Sequence, residues 1–170
     1  MAAHDFIPVL LTELPFDLPG RVFRSPMPYS RMDPWGEIYP EYQAASVSVV
    51  VLLVSDEESL AETGRNLRQH YQQHGMQVIH LPILDFSVPE LAELQAAVFA
   101  AEAQLRQGRN LAVHCYAGIG RTGLFLACLA RQVMGLSAPE AMDWVRCYIR
   151  GAVEVEAQKR LVEKFTGRSG

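Results

Sequence analysis

The chain has no apolar run long enough to span a bilayer, no internal repeat and no low-complexity segment. A membrane-spanning helix, a repeat array and a biased tail are therefore not expected. Basic residues are in no excess, with 15 Lys and Arg against 19 Asp and Glu and a formal net charge of −4. A general electrostatic grip on nucleic acid or on an anionic membrane is disfavoured, so any bound anion must be held by a local site. Cysteine is scarce, and Cys115, Cys128 and Cys147 show neither pairing nor zinc-ligand spacing. That pattern implies a reducing compartment and no disulfide framework. The first residues lack the basic segment of a secretory signal, and the expectation is a cytoplasmic protein. What is present is ordinary for a soluble chain: 170 residues, about half of them apolar, read as one domain over 1–170 with a real core.

Three short apolar runs read as strands: "SVSVVVLLV" at 46–54, "MQVIHLPIL" at 76–84 and "NLAVHC" at 110–115. Continuous β-branched runs of this length suit strands buried on both faces. Two shorter candidates, "IPVLLTEL" and "GRVFRS", precede a Pro- and Gly-rich stretch that reads as a loop region packed over the rest. Ser55-x-x-Glu58, Ser87-x-x-Glu90 and Ser137-x-x-Glu140 match capping boxes, the latter two with a proline in the first turn. The first helix is expected to run to Gly75 and the second to Gly108, both as left-handed caps. The stretch 122–134 is apolar almost all round and predicts a buried helix. Two more helices are expected near 138–150 and 154–166. Strands alternating with helices predict an α/β fold, a mostly parallel central sheet of four to five strands with helices on both faces.

The segment "NLAVHCYAGIGRTG" carries the chemistry. Its "GIGRTG" matches G-x-G-x-x-G, but a dinucleotide fold needs a second strand with an acidic residue about twenty positions on. Asp143 stands near that distance inside a helical stretch, and no strand is evident beyond 115. The nucleoside-triphosphate loop pattern fails as well, since Arg121 stands where a lysine is required. The longer pattern, His114-Cys115-x5-Arg121-Thr122, is more specific. It sets a thiol at the end of a buried strand and a guanidinium at the start of a helix. Glycines in the turn let the amides of Tyr116, Ala117, Gly118, Ile119, Gly120 and Arg121 face inward as an anion-binding nest, helped by the helix terminus. Arg121 can grip two oxygens of a tetrahedral oxyanion with its planar fork. The same field favours the thiolate of Cys115, and the Thr122 hydroxyl can donate to that sulfur.

"VHCYAGIGRTG" resembles the H-C-x5-R-[ST] signature of the cysteine-based protein tyrosine and dual-specificity phosphatases. The resemblance extends over about residues 20–166 and is strongest over 77–166. It implies a phosphocysteine intermediate on Cys115, no metal or other cofactor, and a general-acid aspartate about thirty residues upstream. "LPILDFSVPELAEL" supplies Asp85 in that place, similar to the D-x-[GS]-x-P loop of Cdc14-like and cyclin-dependent-kinase-associated phosphatases, with Pro89 opening the next helix. In "IRGAVEVEAQKRLVEKF", Gln158 matches the glutamine that orients the attacking water. The chain is too short for the pocket-deepening segments of the large tyrosine-specific members, which implies a shallow, broadly accepting site. "YAGIG" lacks the lysine of several phosphoinositide phosphatases. The implied substrates are phosphotyrosine and phosphoserine or phosphothreonine of proteins. Phosphoinositides, sugar or nucleotide phosphates, and a non-catalytic phosphoprotein-binding module are the alternatives.

Other residues carry plainer expectations. His114 is expected to stay buried and hydrogen-bonded, tuning the thiolate and not acting as a base. Cys128 and Cys147 are expected to be buried helix residues, and Glu154 and Glu156 to be solvated. Asp33 and Asp56 compete with Asp85 for the acid role. Arg24, Ser25 and Arg31 are candidates for the border of the pocket.

Overall fold

The computed structural model describes residues 10–168. Its strands are β1 (Thr12–Leu14), β2 (Val22–Ser25), β3 (Val47–Leu52), β4 (Gln77–His80) and β5 (Asn110–His114). Its helices are α1 (Ile38–Ala44), α2 (Asp56–Thr63), α3 (Leu67–Gln73), α4 (Leu91–Arg106), α5 (Gly120–Met134), α6 (Ala138–Arg146) and α7 (Glu156–Lys164). The five strands form one sheet in the order β1-β2-β5-β3-β4, parallel except for the antiparallel β1–β2 pair at one edge. Val49 to Leu52 and Leu111 to Val113 are each fully buried. Successive strand residues point to opposite faces, so helices must cover both sides of the sheet, as the sequence predicts. Each such aliphatic side chain contributes about 1.5–3 kcal/mol on burial. β5 holds the centre, and α5 begins only a short turn beyond it, with every residue from Gly120 to Ala130 buried. The chemistry-bearing turn is thereby mounted between the most central strand and the most central helix.

Local signals held in some places and failed in others. The Ser137 capping box is complete, with Ser137 Oγ accepting from the Glu140 amide and Glu140 reaching back to the Ser137 amide. Ser55 caps α2, but the expected single helix to Gly75 is two helices. Gly64 terminates α2 with a φ of 71°, and the Asn66 side chain caps α3 by accepting from the Gln69 amide. A left-handed stop followed by a fresh cap outweighs the continuing helical pattern. Gly75 and Gly108 do take positive φ, each just beyond a helix end.

The Ser87-x-x-Glu90 box does not form. The Ser87 amide closes a turn onto the Leu84 carbonyl, and α4 starts only after Glu90. Pro89 restricts Val88 to extended backbone and does not open the helix, which delays the start. Helix α1 lies in the stretch read as loop. Of the first strand candidate, residues 7–9 lie outside the described residues, and the remainder contributes β1. Among the described residues no strand follows β5, and no helix is long and apolar enough to cross a membrane.

Candidate active site

β5 ends just before Cys115, and the turn 115–119 then leads into α5. Gly118 has a φ of 74°, and a Cβ there would stand 2.3 Å from the Ser25 carbonyl oxygen, so only glycine fits. The outside of the turn is clamped. Arg24 donates from Nε to the Gly118 carbonyl at 2.9 Å and from Nη2 to the Ala117 carbonyl at 3.0 Å. The Met27 amide donates to the Tyr116 carbonyl at 2.8 Å. Because C=O and the following N–H oppose one another across a trans peptide, three carbonyls held outward turn the amides of Ala117, Gly118 and Ile119 inward. The Gly118 amide meets Cys115 Sγ at 3.3 Å. Among the described residues the amides of Tyr116, Ala117, Ile119, Gly120 and Arg121 find no acceptor. Orphaned amides are costly, and several converging at a helix start form a nest for an anion.

Cys115 is almost fully buried, and Thr122 Oγ1 donates to its sulfur at 3.2 Å. With the Gly118 amide, two donors thus converge on the one sulfur. Arg121 is buried as well. Its Nη1 donates to Glu58 Oε2 at 2.7 Å and to the Ile83 carbonyl at 2.8 Å, while Nη2 donates to Glu58 Oε1 at 3.0 Å. Nε is buried with no partner. Glu58 thus takes the Nη1/Nη2 edge of the guanidinium, and on the Nε/Nη2 edge Nε is left without a partner while Asp85 Oδ1 stands 3.4 Å from Nη2. Burial works against the Arg121 charge, but the bonds to Glu58 and the nearby Cys115 and Asp85 more than offset it, raising its pKa above the ordinary value.

Asp85 sits in a tight turn with its side chain half exposed. Its Oδ1 accepts from the Phe86 amide at 3.0 Å and lies 3.4 Å from Arg121 Nη2. It lines a cleft of about 690 Å³ with Arg31, Glu58, Ala61, Glu62 and Tyr116. The competing carboxylates are committed elsewhere. Asp33 is buried and accepts from the amides of Tyr29, Glu37 and Ile38, and Asp56 pairs with Arg68.

His114 is fully buried, with Nδ1 2.9 Å from the Cys115 carbonyl oxygen and Nε2 2.8 Å from the Tyr71 hydroxyl. Burial pushes its pKa down to about 4, with a smaller push from the Arg121 charge. The neutral ring therefore donates through Nδ1 and accepts from Tyr71, pinning the backbone at the start of the turn.

Gln158 is buried too, and its Oε1 accepts from the amides of Glu154 at 2.9 Å and Val155 at 3.4 Å. It organises the turn that enters α7, and that turn abuts the phosphate loop. A Cβ on Gly120 would meet Glu154 Oε1 at 2.3 Å, and one on Gly123 would meet the Ala152 side chain at 2.7 Å. Glu154 is thus exposed yet pressed against the loop, a placement that plain solvation does not describe. Ser25 lies under the loop against Tyr42 and does not border the cleft. Cys128 is buried, and that burial pushes its thiol pKa up. Cys147 is exposed at the end of α6, contrary to the expectation of burial, because its side chain falls on the polar face and meets only the Asp143 carbonyl. Among the described residues no group of His, Cys, Asp or Glu is arranged to hold a metal.

Arg24, a candidate for the pocket border, instead clamps the outside of the turn, and the sequence held no sign of Glu58 as the partner of Arg121. Glu58 was visible only as half of a capping box. The requirement that a buried arginine have a carboxylate partner was the one available hint, and it does not say which carboxylate.

Residues 28–133 match the family model described as a polymorphic toxin system, DSP-PTPase phosphatase (Tc-R-P). Among curated proteins, the tyrosine-protein phosphatase CDC14 of Saccharomyces cerevisiae is 33% identical over 92 residues, covering 54% of this chain and 16% of that protein. Cyclin-dependent kinase inhibitor 3 of Homo sapiens is 33% identical over 96 residues, covering 56% of this chain and 45% of that protein. The matches therefore span less than half the length of either relative. The crystal structure of Tk-PTP in its active form superposes with a TM-score of 0.72 at 31% identity, over 85% of this chain and 90% of that one. A kinase associated phosphatase (KAP) with its catalytic site cysteine substituted gives a TM-score of 0.82 at 21% identity, over 94% and 95% of the two chains. That second likeness is one of fold.

Proposed function

This chain belongs to the DSP-PTPase phosphatase family, and on that premise we propose that it is a single-domain, metal-independent phosphomonoester hydrolase. Its proposed substrates are phosphotyrosine and, in the same shallow cleft, phosphoserine or phosphothreonine of proteins. The observation that carries this reading is the turn at Cys115, with the Gly118 amide on Sγ, the amides of Tyr116, Ala117, Ile119, Gly120 and Arg121 without an acceptor among the described residues, and Arg121 Nε without a partner.

The loop amides and the Arg121 fork take the non-bridging oxygens and hold phosphorus over the sulfur. The Cys115 thiolate attacks phosphorus, the bond to the ester oxygen breaks, and Asp85 transfers its proton to that leaving oxygen. Water then attacks the phosphocysteine, Asp85 accepts its proton, and the sulfur leaves as a thiolate stabilised by Thr122 and the Gly118 amide. Glu58 neutralises Arg121 without occupying the fork. His114 fixes the Cys115 carbonyl and so the start of the loop. Gln158 acts in the second step, holding the turn from which water is aligned.

Turnover of an aryl phosphate and of phosphotyrosine peptides in excess chelator tests the reading. Vanadate is expected to inhibit, and Cys115→Ser is expected to lose on the order of 10⁴-fold or more in kcat. Retained activity in Cys115→Ser, or dependence on added metal, refutes the mechanism.

A further inference from the structure

One cation of the cleft has no part in the chemistry above. Arg31 lines the same cleft as Asp85, Tyr116 and Glu58, is exposed, and forms no ion pair with any carboxylate among the described residues. Free surface arginines are common, but this one is carried on a segment built to hold it still. Asp33 is buried and spends its carboxylate on three amides, those of Tyr29 at 3.0 Å, Glu37 at 2.7 Å and Ile38 at 3.3 Å. Ser30 is buried too, its Oγ donating to the Met27 carbonyl at 2.7 Å and accepting from the Met32 amide at 3.1 Å. Tyr29 takes a φ of 64°, and its ring lies under the Arg65 guanidinium, 4.2 Å from the centroid. Through Met27, whose amide donates to the Tyr116 carbonyl, this segment is bonded directly to the phosphate loop. The offset between Arg31 and the phosphate site is therefore set by hydrogen bonds from the buried side chains of Asp33 and Ser30 to the segment's backbone and not by a free loop.

The other charged groups of the cleft wall are carboxylates. Glu58 is committed to Arg121, Asp85 faces Arg121, and Glu62 stands unpaired among the described residues. Of the charged groups on the wall, only Arg31 would attract a second anionic group entering beside the phosphate.

We propose that Arg31 determines specificity by receiving a second anionic group, carried by the same polypeptide next to the phosphorylated residue. This rests on the phosphatase reading given above and narrows its substrates to phosphopeptides with an acidic flank. The contact is solvent-exposed, so its contribution is modest and sensitive to salt.

The test uses the full chain and three phosphotyrosine peptides that differ only in a flanking Glu, Gln or Lys, with a doubly phosphorylated peptide as a fourth. An aryl phosphate reports the phosphatase reading by itself. The wild type is expected to favour the Glu peptide over the Gln peptide by about three- to fivefold in kcat/KM, expressed in KM. The doubly phosphorylated peptide distinguishes a carboxylate from a phosphate as the preferred anion. Arg31→Gln is expected to abolish the preference, Arg31→Glu to reverse it toward the Lys peptide, and Arg31→Lys to retain it. A defect in folding would change all peptides alike and could not reverse their order. Unchanged peptide ratios in Arg31→Glu overturn the proposal, as does hydrolysis of the aryl phosphate with none of any peptide. Failure of the wild type on every substrate overturns the phosphatase reading itself, and this proposal with it.

Discussion

The two loops that face each other across the cleft are built on opposite terms. The turn 115–121 has Cys115, Gly118, Gly120 and Arg121 buried and the rest half-buried, and it is clamped from outside by Arg24 and Met27 and closed from beneath by Ser25. The loop carrying Asp85 has exposed flanks, with Leu84 at 80% and Phe86 at 62% relative exposure, and is tied chiefly by its own turn and by Arg121. The difference follows from what each must do. A cradle for an oxyanion gains from donors that need no reorganisation, so its cost is met by packing in the core. An acid that meets leaving groups of various shapes, and later a water, gains from a mounting that can give way. Arg121 joins the two, since its fork belongs to the cradle while its Nη atoms reach Ile83 and Asp85.

Substitutions of graded size can break or sharpen this contrast. The largest effect after loss of the nucleophile is expected for Arg121→Lys, about 10²–10³-fold in kcat, because an ammonium cannot serve Glu58 and two phosphate oxygens together. A loss below tenfold would remove the bidentate fork from the mechanism. Asp85→Asn is expected to cost about 10²-fold with an alkyl phosphate and clearly less with an activated aryl phosphate. Equal losses on both substrates would reassign the acid.

Smaller effects should show in stability. Gly118→Ala places a methyl 2.3 Å from the Ser25 carbonyl oxygen at positive φ, and about 2 kcal/mol or more of destabilisation is expected from urea unfolding. Burial depresses the His114 pKa from 6.5 to about 4, so between these values the unfolded chain binds a proton that the folded chain refuses. Stability should therefore fall as pH drops through this window, by roughly a few kcal/mol at most. His114→Gln should flatten that dependence, and an unaltered pH profile would contradict it. The smallest change is expected on the other side of the cleft, where Phe86→Ala should stay within about 0.5 kcal/mol of wild type.

The sequence by itself determined the buried parallel strands, the turn of Cys115 to Arg121 and the position of Asp85. Each of these depends on short-range features: β-branched runs, glycines where the backbone must turn left, a fixed spacing. Helix boundaries were less legible. Ser87 and Pro89 satisfy a capping pattern that also serves a turn around Asp85, and only the competition with the Leu84 carbonyl settles which one forms. Gly64 and Asn66 did carry the signal for a break, but it was outweighed by the helical pattern around it.

The partners of the site belonged to the tertiary structure alone. Glu58 comes to Arg121 from 63 residues away, Arg24 reaches the Gly118 carbonyl from 94 away, and Tyr71 meets His114 from 43 away. No local pattern encodes such pairs, because what selects them is the cost of leaving a charge or a donor unpaired once the core has closed around it.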